Sequence, residues 1–203
     1  DRIRNKYLDE MDSKNKSNFE ENLKIINNQI KQIGNLVNEF SDFARMPKPI
    51  LKDIDLIQIL NDNINLASEL DKKIKINLIT NSKKVIINGD KEQISRVFFN
   101  LIKNSIESIH EKLKKVSNIN QNITIELDDF DDYISFIITD TGIGFNELKN
   151  NIKDMLKPYF TTKKEGTGLG LSIVNKIIND HNGIIDFIST DNGAKIKITF
   201  IKK

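Results

Sequence analysis

Asp140-Thr141-Gly142-Ile143-Gly144, a carboxylate followed by two glycines around one isoleucine, decides how this chain is read. Glycines let a backbone approach a ligand where any side chain would block it, and the carboxylate adds a directional acceptor. Downstream stands Gly166-Thr167-Gly168-Leu169-Gly170-Leu171, and upstream a helical pattern carries Asn100 and Asn104. Taken in order, the two amides, the acid and the two glycine groups describe a nucleotide pocket. Neither glycine group follows the Gly-x4-Gly-Lys-Ser/Thr spacing of a P-loop or the spacing and context of a dinucleotide fingerprint, so those two readings are set aside.

The asparagines belong to a helix expected from Asp90 to Leu113, begun by an Asp90 cap with Gln93 three residues on. At about 100° per residue, Ile94, Val97, Phe98, Leu101, Ile102 and Ile109 share one broad arc, while Arg96, Asn100, Lys103, Asn104 and Glu107 fall opposite. A solvated polar face is the plain interpretation. Two asparagines four apart, mediocre helix formers on one face, invite another: Mg²⁺ accepts amide oxygens alongside phosphate and water.

Around this helix the pattern is mixed. A helix is expected over residues 54–70, strands over 74–79 and 85–87, a hairpin of strands over 123–127 and 133–139, a helix over 169–179, and final strands over 184–189 and 194–201. That order places helices on one face of a mixed sheet.

The first fifty residues differ. Phe19, Leu23, Ile26, Ile30, Ile33, Val37, Phe40 and Ala44 are spaced alternately four and three, a heptad seam of a long helix packed on others. Gly34 within it costs about 1 kcal/mol relative to alanine. A shorter stripe, Ile3, Tyr7, Leu8 and Met11, precedes the turn-forming Asp12-Ser13-Lys14-Asn15-Lys16-Ser17, Ser17 is the expected helix start, and Met46-Pro47-Lys48-Pro49 is a firm stop. This is a helical hairpin. Two helices cannot bury so long a seam alone, so a dimeric four-helix bundle is expected, with a solvent-facing coiled coil or an intramolecular bundle as alternatives. The expected domains are residues 1–46, a linker over 47–52, and 53–203.

With 31 basic and 29 acidic side chains the net charge is +2, which points to no nucleic-acid partner and no anionic surface. The absence of cysteine excludes disulfides, thiolate metal sites and cysteine nucleophiles. No run approaches the roughly 18 apolar residues of a membrane helix, so this segment is not expected to enter a membrane.

Asn100-Leu101-Ile102-Lys103-Asn104-Ser105, Asp140-Thr141-Gly142-Ile143-Gly144, Lys157-Pro158-Tyr159-Phe160-Thr161-Thr162-Lys163 and Gly166-Thr167-Gly168-Leu169-Gly170-Leu171-Ser172-Ile173-Val174 resemble, in order, the N, G1, F and G2 boxes of sensor histidine kinases. Ser41-Asp42-Phe43-Ala44-Arg45-Met46-Pro47-Lys48-Pro49 further resembles the NtrY-type nitrogen-regulation membrane sensors. The resemblance implies an α+β chain: a dimerising helical hairpin, then the α/β sandwich shared with type II topoisomerase, Hsp90 and MutL ATPases. It implies ATP and Mg²⁺ as cofactors, a homodimer through the hairpin, and a response-regulator receiver domain as partner. It also implies a cytoplasmic segment of an inner-membrane sensor.

By resemblance, Asp140 accepts from the adenine amino group, with Gly142 and Gly144 opening room for the ring. Asn104, helped by Asn100, holds Mg²⁺, and the backbone of Gly166, Thr167, Gly168, Leu169, Gly170 and Leu171 cradles the phosphates. Residues 145–165 are the implied lid, with Thr162 near the nucleotide and Lys163 a candidate γ-phosphate contact; a surface lysine is the plain alternative. The family often has a basic residue where this chain has Glu107, and Lys103 is the implied substitute. ATPase relatives place a glutamate base four residues before the magnesium asparagine. Here that position is Asn100, and an amide cannot take a proton from water, so transfer to a protein nucleophile is favoured over hydrolysis.

The family transfers its phosphoryl group to a histidine near the start of the first hairpin helix, followed by an acidic residue. No such histidine is present, so the chain is expected to begin just after it and not to phosphorylate itself alone. His110-Glu111 copies the pair superficially but sits on the nucleotide domain, and His181 reads as a structural helix-end residue. Two alternatives stay open, a non-kinase ATPase of the same superfamily and a dimeric scaffold with a degenerate nucleotide site.

Overall fold

The computed structural model describes residues 13–145, 152–161, 163, 166–190 and 192–202. The chain forms two compact units, one of residues 1–46 with 163–167, the other of residues 47–162 with 168–203.

The first unit contains α1, Ser13–Ala44. It is already helical four residues before Ser17, so the expected start there is corrected: a polar run that favours turns does not break a helix that continues through it. The stripe from Ile3 to Met11 lies outside the described residues. Along the seam Ile26, Ile30, Ile33, Val37 and Phe40 are all about half exposed in the single chain.

The second unit is an open sheet with helices on one face. In chain order it comprises β1 Lys52–Asp55, α2 Leu56–Ser68, β2 Lys75–Ile79, β3 Ile86–Gly89, α3 Lys91–Lys115, β4 Asn122–Asp129, β5 Tyr133–Asp140, a 3-10 turn Ile152–Leu156, α4 Gly170–Asp180, β6 Gly183–Ser189 and β7 Ala194–Ile201. The five-stranded sheet runs β2-β4-β5-β7-β6, with β2 and β4 parallel and all other neighbours antiparallel. Parallel pairing needs a long crossover, and α3 lies within that connection.

Period-2 alternation sets the core face. Ile123, Ile125 and Leu127, Ile134, Phe136 and Ile138, and Ile196, Ile198 and Phe200 are buried beneath the helices. Against them α3 lays Ile94, Val97, Phe98, Leu101, Ile102 and Ile109, all without solvent exposure, each contributing about 1.5–3 kcal/mol of burial. Phe98 stacks on Phe136 with ring centroids 4.8 Å apart. That contact locks the register of α3 over β5, which places Asn100, Asn104 and the end of β5 in one neighbourhood.

Two local expectations are corrected. The helix expected from Ile54 begins only at Leu56, because β1 pairs with β3 in a separate two-stranded sheet. The Asp55 carboxylate accepts the N–H of Ile57 at 3.0 Å, and as the cap Asp55 itself keeps extended backbone, φ −94° and ψ 113°. At α3 the cap is Asp90, whose Oδ1 takes the N–H groups of Glu92 and Gln93, both at 3.1 Å. The Gln93 side chain does not reach back, as a reciprocal capping box requires. Its Nε2 donates to Pro47 O at 3.0 Å, and the Asp90 N–H instead donates to His181 Nε2 at 2.9 Å. Among the described residues no helix is long and apolar enough to cross a membrane.

Candidate functional site

The C-terminal end of β5 carries Asp140 into a buried corner, where the side chain retains 4% of its surface. Its Oδ1 accepts Gly142 N–H at 2.8 Å and Ala194 N–H at 3.3 Å, and Ser108 Oγ–H at 3.4 Å. Burial pushes the carboxyl pKa up; the two N–H groups and the hydroxyls of Ser105 and Ser108 oppose it without prevailing. An acid is thus kept here at an electrostatic cost, with several donors orienting it.

The turn that follows lies directly on α3. A Cβ on Gly142 would stand 2.1 Å from Ser108 Oγ, so only glycine fits. Ile143 N–H donates to the same Oγ at 3.1 Å, and Lys112 Nζ donates to Thr141 O at 2.9 Å. Gly144 packs against the carbonyl of Gly193, at the turn between β6 and β7. The turn is therefore held by one turn of α3, from Ser108 to Lys112, and by a second hairpin.

Asn100 and Asn104 are half-buried on the same stripe of α3 as Ser108. Asn100 Nδ2 donates one N–H to Arg96 O at 2.9 Å, which orients the amide, and Oδ1 faces α4, 3.6 Å from where a Gly170 Cβ would be. Amide oxygens beside phosphate oxygens suit a hard divalent cation. Among the described residues no cluster of three His, Cys, Asp or Glu side chains is placed to hold a metal. The chemistry of the donors thus fits an ion held jointly by amides and a ligand.

Gly168 to Leu171 form the entry to α4. Leu169 is fully buried and, as the N-cap, offers no side-chain acceptor to the first turn. Gly168 O accepts Tyr159 N–H at 3.0 Å, so the loop at Tyr159 and Phe160 closes against it. Gly166, Thr167 and Lys163 belong to the unit of α1, where Thr167 Oγ1 donates to Glu39 and Gly166 N–H to Lys163 O at 3.3 Å. Thr162 lies outside the described residues, as do 146–151, 164 and 165 of the implied lid. Lys103 is exposed and lies 3.9 Å from Glu107.

Neither histidine sits among these groups. His110 Nε2 lies 2.8 Å from Asp71 Oδ2, joining α3 to the turn before β2. His181 is buried, with Nδ1 donating to Ile177 O at 2.8 Å while Nε2 accepts from Asp90, which specifies the neutral tautomer.

Sequence reasoning missed Ser105, Ser108, Gly193 and Ala194. A signal existed for Ser108, which lies four residues beyond Asn104 on its stripe. Asn192-Gly193 is an ordinary turn pair, and nothing local tells that it packs on Asp140.

Comparison with known proteins bears on the same residues. The family model described as histidine kinase-, DNA gyrase B-, and HSP90-like ATPase matches residues 89–203, which span Asn100, Asp140 and the α4 entry. An NtrY-like sensor histidine kinase of Rickettsia prowazekii is 34% identical over 98% of this chain and 32% of its own length. Nitrogen regulation protein NtrY of Azorhizobium caulinodans is 31% identical over 84% of this chain and 22% of its own. The chain thus spans about a third of the length of the curated relatives it matches. Among solved structures, histidine kinase ThkA in complex with response regulator protein TrrA superposes with a TM-score of 0.72 at 24% identity, over 91% of this chain and 52% of that one, a likeness of fold.

Proposed function

Because the chain belongs to the family of histidine kinase-, DNA gyrase B- and HSP90-like ATPases, we propose that it is the dimerisation and ATP-binding portion of a sensor histidine kinase. The observation that carries this reading is Asp140, a buried carboxylate gripped by backbone donors at the end of β5, where it is poised to accept a hydrogen bond from an exocyclic amino group.

Asp140 recognises the base, and Gly142 and Gly144 leave space for the ring. Asn104 and Asn100 hold a Mg²⁺ ion through their amide oxygens, and residues 166–171 bind the phosphates through backbone N–H groups. Lys103, Thr162 and Lys163 complete the proposed nucleotide contacts, Lys163 toward the γ-phosphate. ATP supplies the phosphoryl group; the chain supplies position and charge neutralisation, which is why its signature is glycines, amides and an acid rather than a nucleophile with a base. Asn100 stands where a hydrolase needs a base, so water is not activated and a protein histidine is the acceptor in the whole protein. The phosphoryl group then passes to an aspartate of a receiver domain, by analogy with the kinase and regulator pair cited above.

The exposed seam of α1 supports a homodimer. Five large apolar side chains in register along one helix form a stripe that water disfavours, and a second copy supplies the same stripe in return. By the relatives' names the whole protein is a sensor, and an inner-membrane location with this part in the cytoplasm follows from that analogy.

The test mixes this chain, Mg²⁺ and labelled ATP with a longer NtrY-like chain whose histidine is intact and whose Asp140 equivalent is changed to alanine. Label on the longer chain is expected. Steady phosphate release without transfer would instead identify a hydrolase, and no nucleotide binding would identify a scaffold.

A further inference from the structure

Ser108 joins α3 to the turn after β5. A hydroxyl has one proton to give and two lone pairs to receive. Ser108 gives its proton toward Asp140 Oδ1 at 3.4 Å and accepts the N–H of Ile143 at 3.1 Å. The first contact is long for O–H···O, so the firmer grip is on the turn. The turn also rests on the hydroxyl itself, since a side chain at Gly142 would overlap it.

Oδ1 of Asp140 receives donors from three places: Gly142 in the turn, Ala194 in β7, and Ser108 in α3. A carboxylate oxygen has about two lone-pair directions, so these donors occupy Oδ1 and oppose rotation of the group. Resting on the nucleotide reading above, we infer that Ser108 is a specificity-determining positioning residue, which clamps the turn and the carboxylate together so that Asp140 turns its other oxygen to the exocyclic amino group of the base. Asn100, Asn104 and Ser108 then divide one helical stripe by task, the asparagines toward the phosphate end and the serine toward the base.

The full chain carrying Ser108→Ala is titrated with Mg·ATP and with Mg·ITP, which bears a carbonyl where ATP has its amino group. Ser108→Ala is expected to weaken ATP about tenfold, the scale of one hydrogen bond to a charged group, and to leave ITP nearly unchanged. The preference for ATP over ITP shrinks by the same factor. Alanine suits a helix interior; should that variant not fold by circular dichroism, Ser108→Cys keeps the size, weakens the hydrogen bonds and carries the same expectation. Equal weakening of both nucleotides, or of neither, overturns the role of Ser108 while the nucleotide reading stands. Failure of the unmodified chain to bind ATP overturns both.

Discussion

Gly193 and Asp140 are in backbone contact: a Cβ on Gly193 would lie 1.8 Å from the carbonyl oxygen of Asp140. The β6–β7 turn is pressed onto the end of β5, next to the residue assigned to base recognition. Gly193 also has φ +92°, a region that L side chains rarely enter. Gly193→Ala is therefore expected to destabilise the second unit by at least about 1–3 kcal/mol, the range for a strained backbone position, and to impair nucleotide binding. Urea unfolding followed by circular dichroism measures the first effect and calorimetric titration with Mg·ATP the second. An unchanged unfolding midpoint would contradict the packing described.

Asp140→Asn separates stability from function. Burial raises the pKa of Asp140, so folding favours its protonated form. The stability linked to that preference is present below the unfolded pKa and is lost as pH rises through the folded one. Asparagine carries no charge whose burial the fold must offset. The variant is expected to melt at a higher temperature than the original at pH 7, the difference closing on acidification, while ATP affinity drops about tenfold or more. In the unmodified chain ATP affinity should decline as pH falls through the raised pKa, because the protonated acid loses acceptor capacity. A lower melting temperature for Asp140→Asn would rule out this ledger of charge and burial.

Asp90 holds the start of α3 and the residues that follow α1. Besides Glu92 and Gln93, its carboxylate accepts the N–H of Ile50 at 2.9 Å. Burial opposes its ionisation, but these N–H groups outweigh burial and the pKa is lowered. Its contribution is thus present above the unfolded pKa and lost as pH falls through the folded one. Asp90→Ala should cost about 0.5–2 kcal/mol at pH 7, the range for a lost cap, with the cost fading in acid, and should increase protease cleavage within residues 47–50. Equal cleavage in both chains would show that Ile50 is held by something else.

Asn104→Ala addresses the metal. If Asn104 holds the ion, the variant weakens Mg·ATP by about tenfold or more and leaves adenosine binding, which needs no metal, unchanged. Loss of adenosine binding to the same degree would assign Asn104 to the base or to folding instead.

Ile30→Glu addresses the dimer. Ile30 is 62% exposed in the single chain, at the middle of the α1 seam. A charge there is expected to weaken self-association by about tenfold or more in sedimentation equilibrium, because a partner seam cannot solvate it. The melting of the second unit should not change.

The composition and spacing of residues were sufficient for the long elements. The buried arc of α3 could be read from Ile94 to Ile109 because a helix repeats every 3.6 residues, and every residue assigned to that arc is buried. Period-2 alternation gave β4, β5 and β7 in the same way. It did not give β1, whose Lys52-Asp53-Ile54-Asp55 has one apolar residue and owes its strand to pairing with β3 more than thirty residues away. Nor did it give the start of α1, where turn-forming side chains sit in continuous helix.

At the site the division is similar. Asp140, the asparagines and the glycines were visible as residue types at telling intervals, and those types alone constrain the ligand chemistry. What the chain order could not convey is which groups hold them. Ser108, Gly193 and Ala194 come from a helix turn and a hairpin far from Asp140 in sequence, and converge on it only because Phe98 seats α3 on Phe136 and β7 pairs with β5. Local sequence determines what a side chain can do; hydrogen bonds and close packing between distant segments decide how it is aimed, and such contacts leave no periodic trace.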